Sequence, residues 1–141
     1  VKWSKQAGLL TEGFFMFGNE GEGRKEMLET IKFAKELDLS VAQFQIYTPV
    51  PGSPLFDTIK RDGVVFSENW EDYNAFDKPL FEYQDSKFDL MMEMQQRAYR
   101  EYYFRPKMFV RKLLEVKNLK QFNGYVKAAM AVGKMSRGKG S

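Results

Sequence analysis

Apolar residues along this chain follow two rhythms, and the change from one to the other marks out its elements. Gly13-Phe14-Phe15-Met16-Phe17 is a continuous apolar run of strand length. Such a run suits a strand covered on both faces, as in a parallel sheet. From Arg24 to Leu37 the spacing becomes helical, with Met27, Leu28, Ile31, Ala34 and Leu37 on one stripe. Asp38 to Ser40 reads as a turn, and Val41 to Tyr47 as a second strand. Two parallel strands joined through a helix are expected to cross over right-handedly. A short helix over Val1 to Ala7 precedes this unit. Gly8 ends it in the C′ position, and Leu9 and Leu10 lead into the first strand. No internal repeat is visible.

The second strand stops at TPVPGSPLF, Thr48 to Phe56, whose prolines forbid both a helix interior and ladder pairing. Ser53 is placed to cap a helix that has Pro54 at its first position. That helix runs through Leu55, Phe56 and Ile59 and ends near Asp62-Gly63. Val64 to Tyr83 lacks a period. It reads as a packed irregular connection anchored by Trp70, Tyr73, Phe76, Phe81 and Tyr83, because a flexible linker lacks so many large apolar groups. A helix then starts at Asp85 or Ser86, either of which can cap it, with Phe88, Met91, Met92, Gln95, Ala98, Tyr99 and Tyr102 as its stripe. Pro106 begins another, carrying Met108, Phe109, Leu113 and Val116. Asn118 to Met135 is a last amphipathic stretch with Leu119, Phe122, Val126 and Met130 inward, and the Gly/Lys-rich Ser136 to Ser141 is expected to fray. The chain thus divides into an α/β part at 1–63, a packed connection at 64–85 and a helical region at 86–141.

Composition narrows the possibilities. With 141 residues, 43% hydrophobic and 16% aromatic, the chain is long enough for one domain with a real core. No apolar run approaches the roughly 18–20 residues of a membrane span, so a soluble protein is expected. No signal-peptide pattern opens it. The chain opens on Val1, inside a predicted helix, and is read as a piece of something longer. Cysteine and histidine are absent. That excludes disulfides, thiolate nucleophiles, imidazole bases and the usual zinc sites within these residues; a cytoplasmic origin is favoured. Charge is uneven. Residues 1–85 carry 9 Lys/Arg against 15 Asp/Glu, a net of −6, whereas residues 86–141 carry 13 against 4, a net of +9. The two halves attract each other, or the basic half meets an external anion.

The loop Gly18 to Gly23 is the first place to look for chemistry. Glycine-rich loops at helix N-termini cradle phosphates with main-chain N–H groups. Here the glycines fall at 18, 21 and 23, and Glu20 and Glu22 lie between them. A carboxylate a few ångströms from a phosphate costs on the order of 1–4 kcal/mol, and no lysine stands nearby in the manner of a P-loop. A neutral or cationic ligand suits the loop better, as does no ligand at all. In a βαβ unit the turns after both strands lie at one edge of the sheet, where α/β folds take up ligands. Gly18 to Glu22 and Tyr47 to Gly52 are therefore expected to face one cleft, with Met16 and Tyr47 offering apolar surface to a flat ring or simply filling core.

At this point the residues resemble a known family. GFFMFGNEGEGRKEMLETIKFAKELD followed by QIYTPVPGSPLFD is similar to the fifth and sixth strand region of radical S-adenosylmethionine (SAM) enzymes, in the branch that carries an upstream cobalamin-binding domain. That branch reads apolar strand, G-x-P-G-E-[ST], amphipathic helix, strand, P-x-P-G-[TS]. The later YREYYFRPKMFVRKL, Tyr99 to Leu113, resembles the helical tail that follows the barrel. The resemblance spans residues 1–115, with 8–57 its specific part. It implies a fragment of a TIM-like partial barrel followed by an α-helical C-terminal region, with the preceding strands in the polypeptide upstream of Val1. It also implies that upstream cysteines hold a [4Fe-4S] cluster, with which the parent enzyme generates a 5′-deoxyadenosyl radical from SAM or transfers a methyl group to a small-molecule substrate. Cobalamin belongs to a domain outside this chain. Met16, Gly18 and Tyr47 are carried over as neighbours of the SAM adenine, and Glu22 as the motif glutamate that orders the loop. Glu20 stands where the family has Pro, and Gly23 where it has Ser or Thr, which makes this loop more acidic and more flexible.

The competing reading is a non-catalytic basic module. Arg97, Arg100, Tyr102, Tyr103, Arg105, Lys107, Arg111 and Lys112 interleave cations with aromatics, as surfaces for nucleic acid or an anionic membrane do. A solvated helix face with Tyr and Phe buried explains the same pattern and is preferred.

Overall fold

The computed structural model describes residues 1–73, 78–108 and 110. The predicted positions Phe76, Phe109, Arg111 and Lys112, and every expectation for 113–141, lie outside them. The described elements are α1 (Lys2–Gln6), β1 (Glu12–Phe17), α2 (Arg24–Leu37), β2 (Val41–Ile46), α3 (Pro54–Asp62), β3 (Val64–Val65), β4 (Phe81–Glu82) and α4 (Phe88–Tyr103), with a 3₁₀ turn at Trp70–Asp72. The chain divides into two compact units, Val1–Gln95 and Gln96–Ser141, which are described separately.

The first unit is built on a parallel pair. β1 and β2 run side by side with Glu12 opposite Val41 and Phe17 opposite Ile46. Main-chain bonds from Val41 N to Thr11 O (3.0 Å) and from Tyr47 N to Phe17 O (2.7 Å) close the two ends of the ladder. α2 makes the crossover and packs against β1, burying Met27, Ile31 and Ala34. Asp38 ends α2 in the left-handed region at φ 50, and its carboxylate accepts a 2.9 Å bond from Lys5 Nζ. One sheet face is core: Phe17, Ala42, Phe44 and Ile46 are buried, with Phe44 stacked on Phe15 (centroids 5.3 Å) and Phe17 (6.0 Å). Burying each such ring contributes about 1.5–3 kcal/mol.

The other face corrects an expectation. The apolar run predicts cover on both sides of β1, yet Phe14 is 63% and Met16 43% exposed. The sheet has only two strands among the described residues, and its second face, carrying Glu12, Phe14, Met16, Gln43 and Gln45, has no layer over it there. The parallel βαβ unit is present; a barrel is not, within the same residues.

α3 starts as its sequence dictates. Ser53 Oγ accepts from Phe56 N at 3.3 Å, Pro54 occupies the first turn, and Gly63 ends the helix. That glycine is a close-approach position: a Cβ there would sit 2.5 Å from Glu82 O and 3.0 Å from Ile59 O. The connection carries a regular pair that its sequence did not suggest: β3 and β4 pair antiparallel, Val64 with Glu82 and Val65 with Phe81. Phe81 is a buried anchor, but Trp70 is not: it is 66% exposed and lies tilted against Tyr73 at 5.2 Å. The cap of α4 also differs from expectation. Glu82 Oε1 accepts from Phe88 N at 2.9 Å, while Ser86 Oγ is engaged elsewhere, with Glu22 O. On α4, Met94 rather than Met92 joins Met91 and Gln95 in the buried stripe.

Gln95 deserves its buried place. In a parallel pair alternate residues direct their main-chain groups to opposite sides, so Phe44 O points away from β1. Gln95 Nε2 donates to it at 3.0 Å, closing the outer edge of β2 at that point. In the second unit, Ala98, Tyr99, Tyr102 and Met108 are buried, and Tyr103 stacks on Tyr99 and lies edge-on to Tyr102.

Replacing Gln95 with Leu keeps volume but removes a buried donor. The expected loss is about 1–3 kcal/mol, read as a lower urea midpoint; an unchanged midpoint would show that the bond is dispensable.

Candidate functional site

The turn after β1 is organised by one carboxylate. Glu22 is 8% exposed and folds back under the loop instead of facing solvent at the start of α2. Its Oε2 accepts from Gly18 N at 2.7 Å, from Asn19 N at 3.0 Å and from Asn19 Nδ2 at 3.2 Å. Three donors converging on an ionised oxygen are the arrangement that makes burying a carboxylate tolerable, since bonds to charged groups are worth about 1.5–3 kcal/mol each. Glu22 N in turn donates to Asn19 O at 3.0 Å. The loop is therefore a closed cage of main-chain groups around its own acid. Its N–H groups at 18 and 19 are committed inward, so this is no phosphate cradle.

At the helix start, Glu26 Oε2 accepts from Gly23 N at 3.0 Å. This is half of a capping box, because Gly23 has no side chain to return the bond. The Glu26 carboxyl is held below its ordinary value of 4.5, first by its own main-chain N–H and then by that of Gly23. Arg24 beside it forks onto Glu93, with Nη1 to Oε1 at 2.6 Å and Nη2 to Oε2 at 2.5 Å.

Gly18 is buried and its φ of +91° lies where L side chains rarely go. A Cβ there would also meet Met91 Sδ at 2.6 Å and Phe81 Cζ at 3.3 Å. What lies against this glycine is thus the molecule's own core, and its side-chain position has no room for a ligand. Tyr47 continues from the end of β2 and sets its ring edge-on to Phe81 at 5.9 Å. Met16 precedes the loop on the open face. The four residues singled out in the sequence therefore separate into two groups. Gly18 and Glu22 form the inner frame of the loop, with Tyr47 linked to it through Phe81; Met16 alone among them has an exposed side chain. Both strand-end turns, at Gly18 and Tyr47, leave the sheet at the same end, as the parallel register requires.

Several residues hold this end in a way the sequence does not announce: Phe81, Ser86 and Met91 stand out in it for other roles, and Gln84 not at all. Gln84 Oε1 accepts from Gly21 N at 3.0 Å, and Ser86 Oγ donates to Glu22 O at 2.7 Å. Phe81 and Met91 close over Gly18. Each is more than 60 positions from its partner, and no local pattern joins them. No group of three or more His, Cys, Asp or Glu suited to a metal ion occurs among the described residues, and no helix among them is long and apolar enough to cross a membrane. Two of the cations proposed for an anion-binding tail are engaged within the second unit. Arg97 Nε bonds Glu101 at 2.6 Å, and the Arg105 guanidinium lies 4.2 Å over the Tyr102 ring.

Two outcomes follow. Gly18→Ala is expected to lose on the order of 1–3 kcal/mol, because it combines a positive φ with overpacking against Met91; denaturant unfolding measures this, and a neutral effect would contradict the packing. Because the Glu26 value is lowered by folding, its contribution to stability is complete above the unfolded value near 4.5 and is lost as the pH falls through the lower folded value. The difference in urea midpoint between wild type and Glu26→Gln should therefore shrink steadily from about pH 6 toward about pH 3. A constant difference would remove the carboxylate from the account.

The chain is similar to an uncharacterized methyltransferase of Pyrococcus horikoshii, 35% identical over 115 residues that make up 82% of this chain and 25% of that protein. It is also similar to bacteriochlorophyllide d C-8(2)-methyltransferase of Chlorobaculum tepidum, 32% identical over 71 residues, 50% of this chain and 16% of the relative. A third is the anaerobic magnesium-protoporphyrin IX monomethyl ester cyclase of Rubrivivax gelatinosus, 34% identical over 74 residues, 52% of this chain and 13% of the relative. No protein-family model matches the chain, and no solved structure matches it. The chain spans a quarter or less of the length of these three relatives, and what it resembles in them is a segment of methyltransferases and of a cyclase.

Proposed function

We propose that this chain is the C-terminal part of a radical SAM enzyme of the cobalamin-binding type, forming the wall of the cleft that faces the SAM adenine and the substrate. The observation that carries the reading is the common exit of the two strands. With β1 and β2 parallel, the Gly18–Gly23 loop and the Thr48–Gly52 segment leave the same end of the sheet, the end at which α/β folds take up ligands. The similarity to methyltransferases and a cyclase supports an enzyme parent, and favours methyl transfer among the chemistries open to it.

The residues present suit a nucleoside. Met16 offers exposed apolar surface on the face away from α2, Tyr47 stands at the end of the neighbouring strand, and the loop main chain at Gly18 is fixed by Glu22. Adenine is flat, uncharged and apolar over its faces, so an acidic loop does not repel it as it would a phosphate. The same residues do not suit an iron–sulfur cluster: the chain has neither cysteine nor histidine, so cluster ligands belong to the polypeptide upstream of Val1, as does any cobalamin domain. The open edge of β1, which has no strand beside it among the described residues, is where a preceding strand of a partial barrel would pair. In this reading 1–63 supplies the C-terminal strands and helices of a partial barrel, 64–85 the connection and 86–141 the C-terminal region. A cluster held by residues outside this chain would supply the electron for SAM cleavage, while Met16, Tyr47 and the loop at Gly18 would bind and orient the nucleoside. A cytoplasmic setting and a small-molecule substrate belong to the same proposal.

The test uses the intact protein, purified anaerobically and reconstituted with iron and sulfide. Cluster absorbance, SAM binding and formation of 5′-deoxyadenosine or S-adenosylhomocysteine are expected. Met16→Ala should weaken SAM binding by roughly 3–10-fold, the scale of a lost apolar contact, without changing cluster absorbance. An intact protein that takes up no cluster under strict anaerobiosis would refute the assignment.

A further inference from the structure

We propose that Gln84 and Ser86 are positioning residues for the Gly18–Gly23 loop: they touch no ligand, and they set the arrangement in which the loop meets one. The inference rests on the reading of that loop as part of a SAM site.

The loop is framed from inside by Glu22, but that acid fixes only its first two N–H groups. Beyond the local bonds of Glu22 N to Asn19 O and Gly23 N to Glu26, the second half of the loop is held from outside by a single turn. Tyr83 and Ser86 exchange main-chain bonds, Tyr83 N to Ser86 O at 3.3 Å and Ser86 N to Tyr83 O at 3.0 Å. At its tip Gln84 Oε1 takes the Gly21 N–H at 3.0 Å. At its base the buried Ser86 Oγ donates to Glu22 O at 2.7 Å, and Asp85 Cβ lies against Gly23. The long-range contacts given for 21, 22 and 23 thus come from residues 84–86, more than 60 positions away in the chain, beside the local bonds of Glu22 N to Asn19 O and Gly23 N to Glu26.

Gln84 is the informative member. Its φ is +50°, in the left-handed region that glycine or asparagine enters more easily. A glycine would relieve that strain but would lose the amide that reaches Gly21. The turn therefore carries a conformational cost, and in exchange it has a side chain bonded to the loop. Ser86 follows the same logic. It sits where a helix cap was expected, yet Glu82 performs that task, which leaves the Ser86 hydroxyl directed to the Glu22 carbonyl. A loop held at several points before the ligand arrives does not have to be ordered by it, and preorganisation of this kind appears as affinity.

The experiment measures SAM affinity by anaerobic equilibrium dialysis, and melting temperature without SAM, for the intact protein and the variants Gln84→Gly, Gln84→Glu and Ser86→Ala. Gln84→Gly should weaken SAM binding roughly 3–10-fold, the range of one lost hydrogen bond, while its melting temperature without SAM stays level or rises, because the φ strain is gone. A merely structural role predicts that affinity does not move. Gln84→Glu keeps the accepting oxygen and should bind SAM within about 2-fold of wild type, on the same scale. Ser86→Ala should weaken binding at least as much as Gln84→Gly. If wild type binds SAM and both Gln84→Gly and Ser86→Ala bind it equally well, the inference is overturned and the reading of the loop survives. If wild type binds no SAM, that reading fails and takes the inference with it.

Discussion

The 2.7 Å bond from Tyr47 N to Phe17 O is the constraint on which the rest depends. It fixes two strands as parallel neighbours at the point where both end. Parallel strands cannot be joined by a tight turn, so the chain must return through a crossover, which here is α2. The crossover covers one face of the sheet and leaves the strands' last residues together. Phe17 then commits its side chain to the core against Phe44, and the next residue must leave the sheet at once. Only glycine satisfies both the backbone angle at 18 and the closeness of Met91.

From that corner the loop is assembled by opposing demands. Its acids make it polar, yet its first glycine is buried, so a carboxylate has to be drawn inside with it. Glu22 meets this need by accepting three N–H donors on one oxygen. A buried acid without such donors would lose far more than it contributes. The packing behind the loop is apolar, through Phe81 and Met91, and the clasp in front of it is polar, through Gln84 and Ser86. Loop shape is thereby set by residues of the connection and of α4 as much as by its own sequence.

This division explains what the sequence revealed. The βαβ order, the Ser53–Pro54 helix start and the parallel direction were legible because each depends on period or on local chemistry. The burial of β1 was misjudged because a run of apolar residues reads the same whether one or two faces are covered; the exposure of Phe14 and Met16 depends on which layers surround the sheet. Size alone marks Trp70 as an anchor, and size says nothing about direction. The polar Gln95 within an apolar stripe was a visible anomaly, and its meaning appears only once Phe44 O is seen beside it. The contacts of Gln84 and Ser86 with the loop left no signal, since each is a single bond across a long stretch of chain. Of the site, the glutamate and the glycines could be picked out in advance; the surfaces that press on them could not.

Gln95 has a consequence for how this sheet associates. Endless stacking of strands between molecules requires two free flanks on each copy. Here one flank is obstructed at Phe44 by a side-chain amide, whereas the flank beyond β1 has no strand beside it among the described residues. Two copies of this chain that met through their β1 flanks would each present an outer flank obstructed at Phe44, which disfavours further addition there.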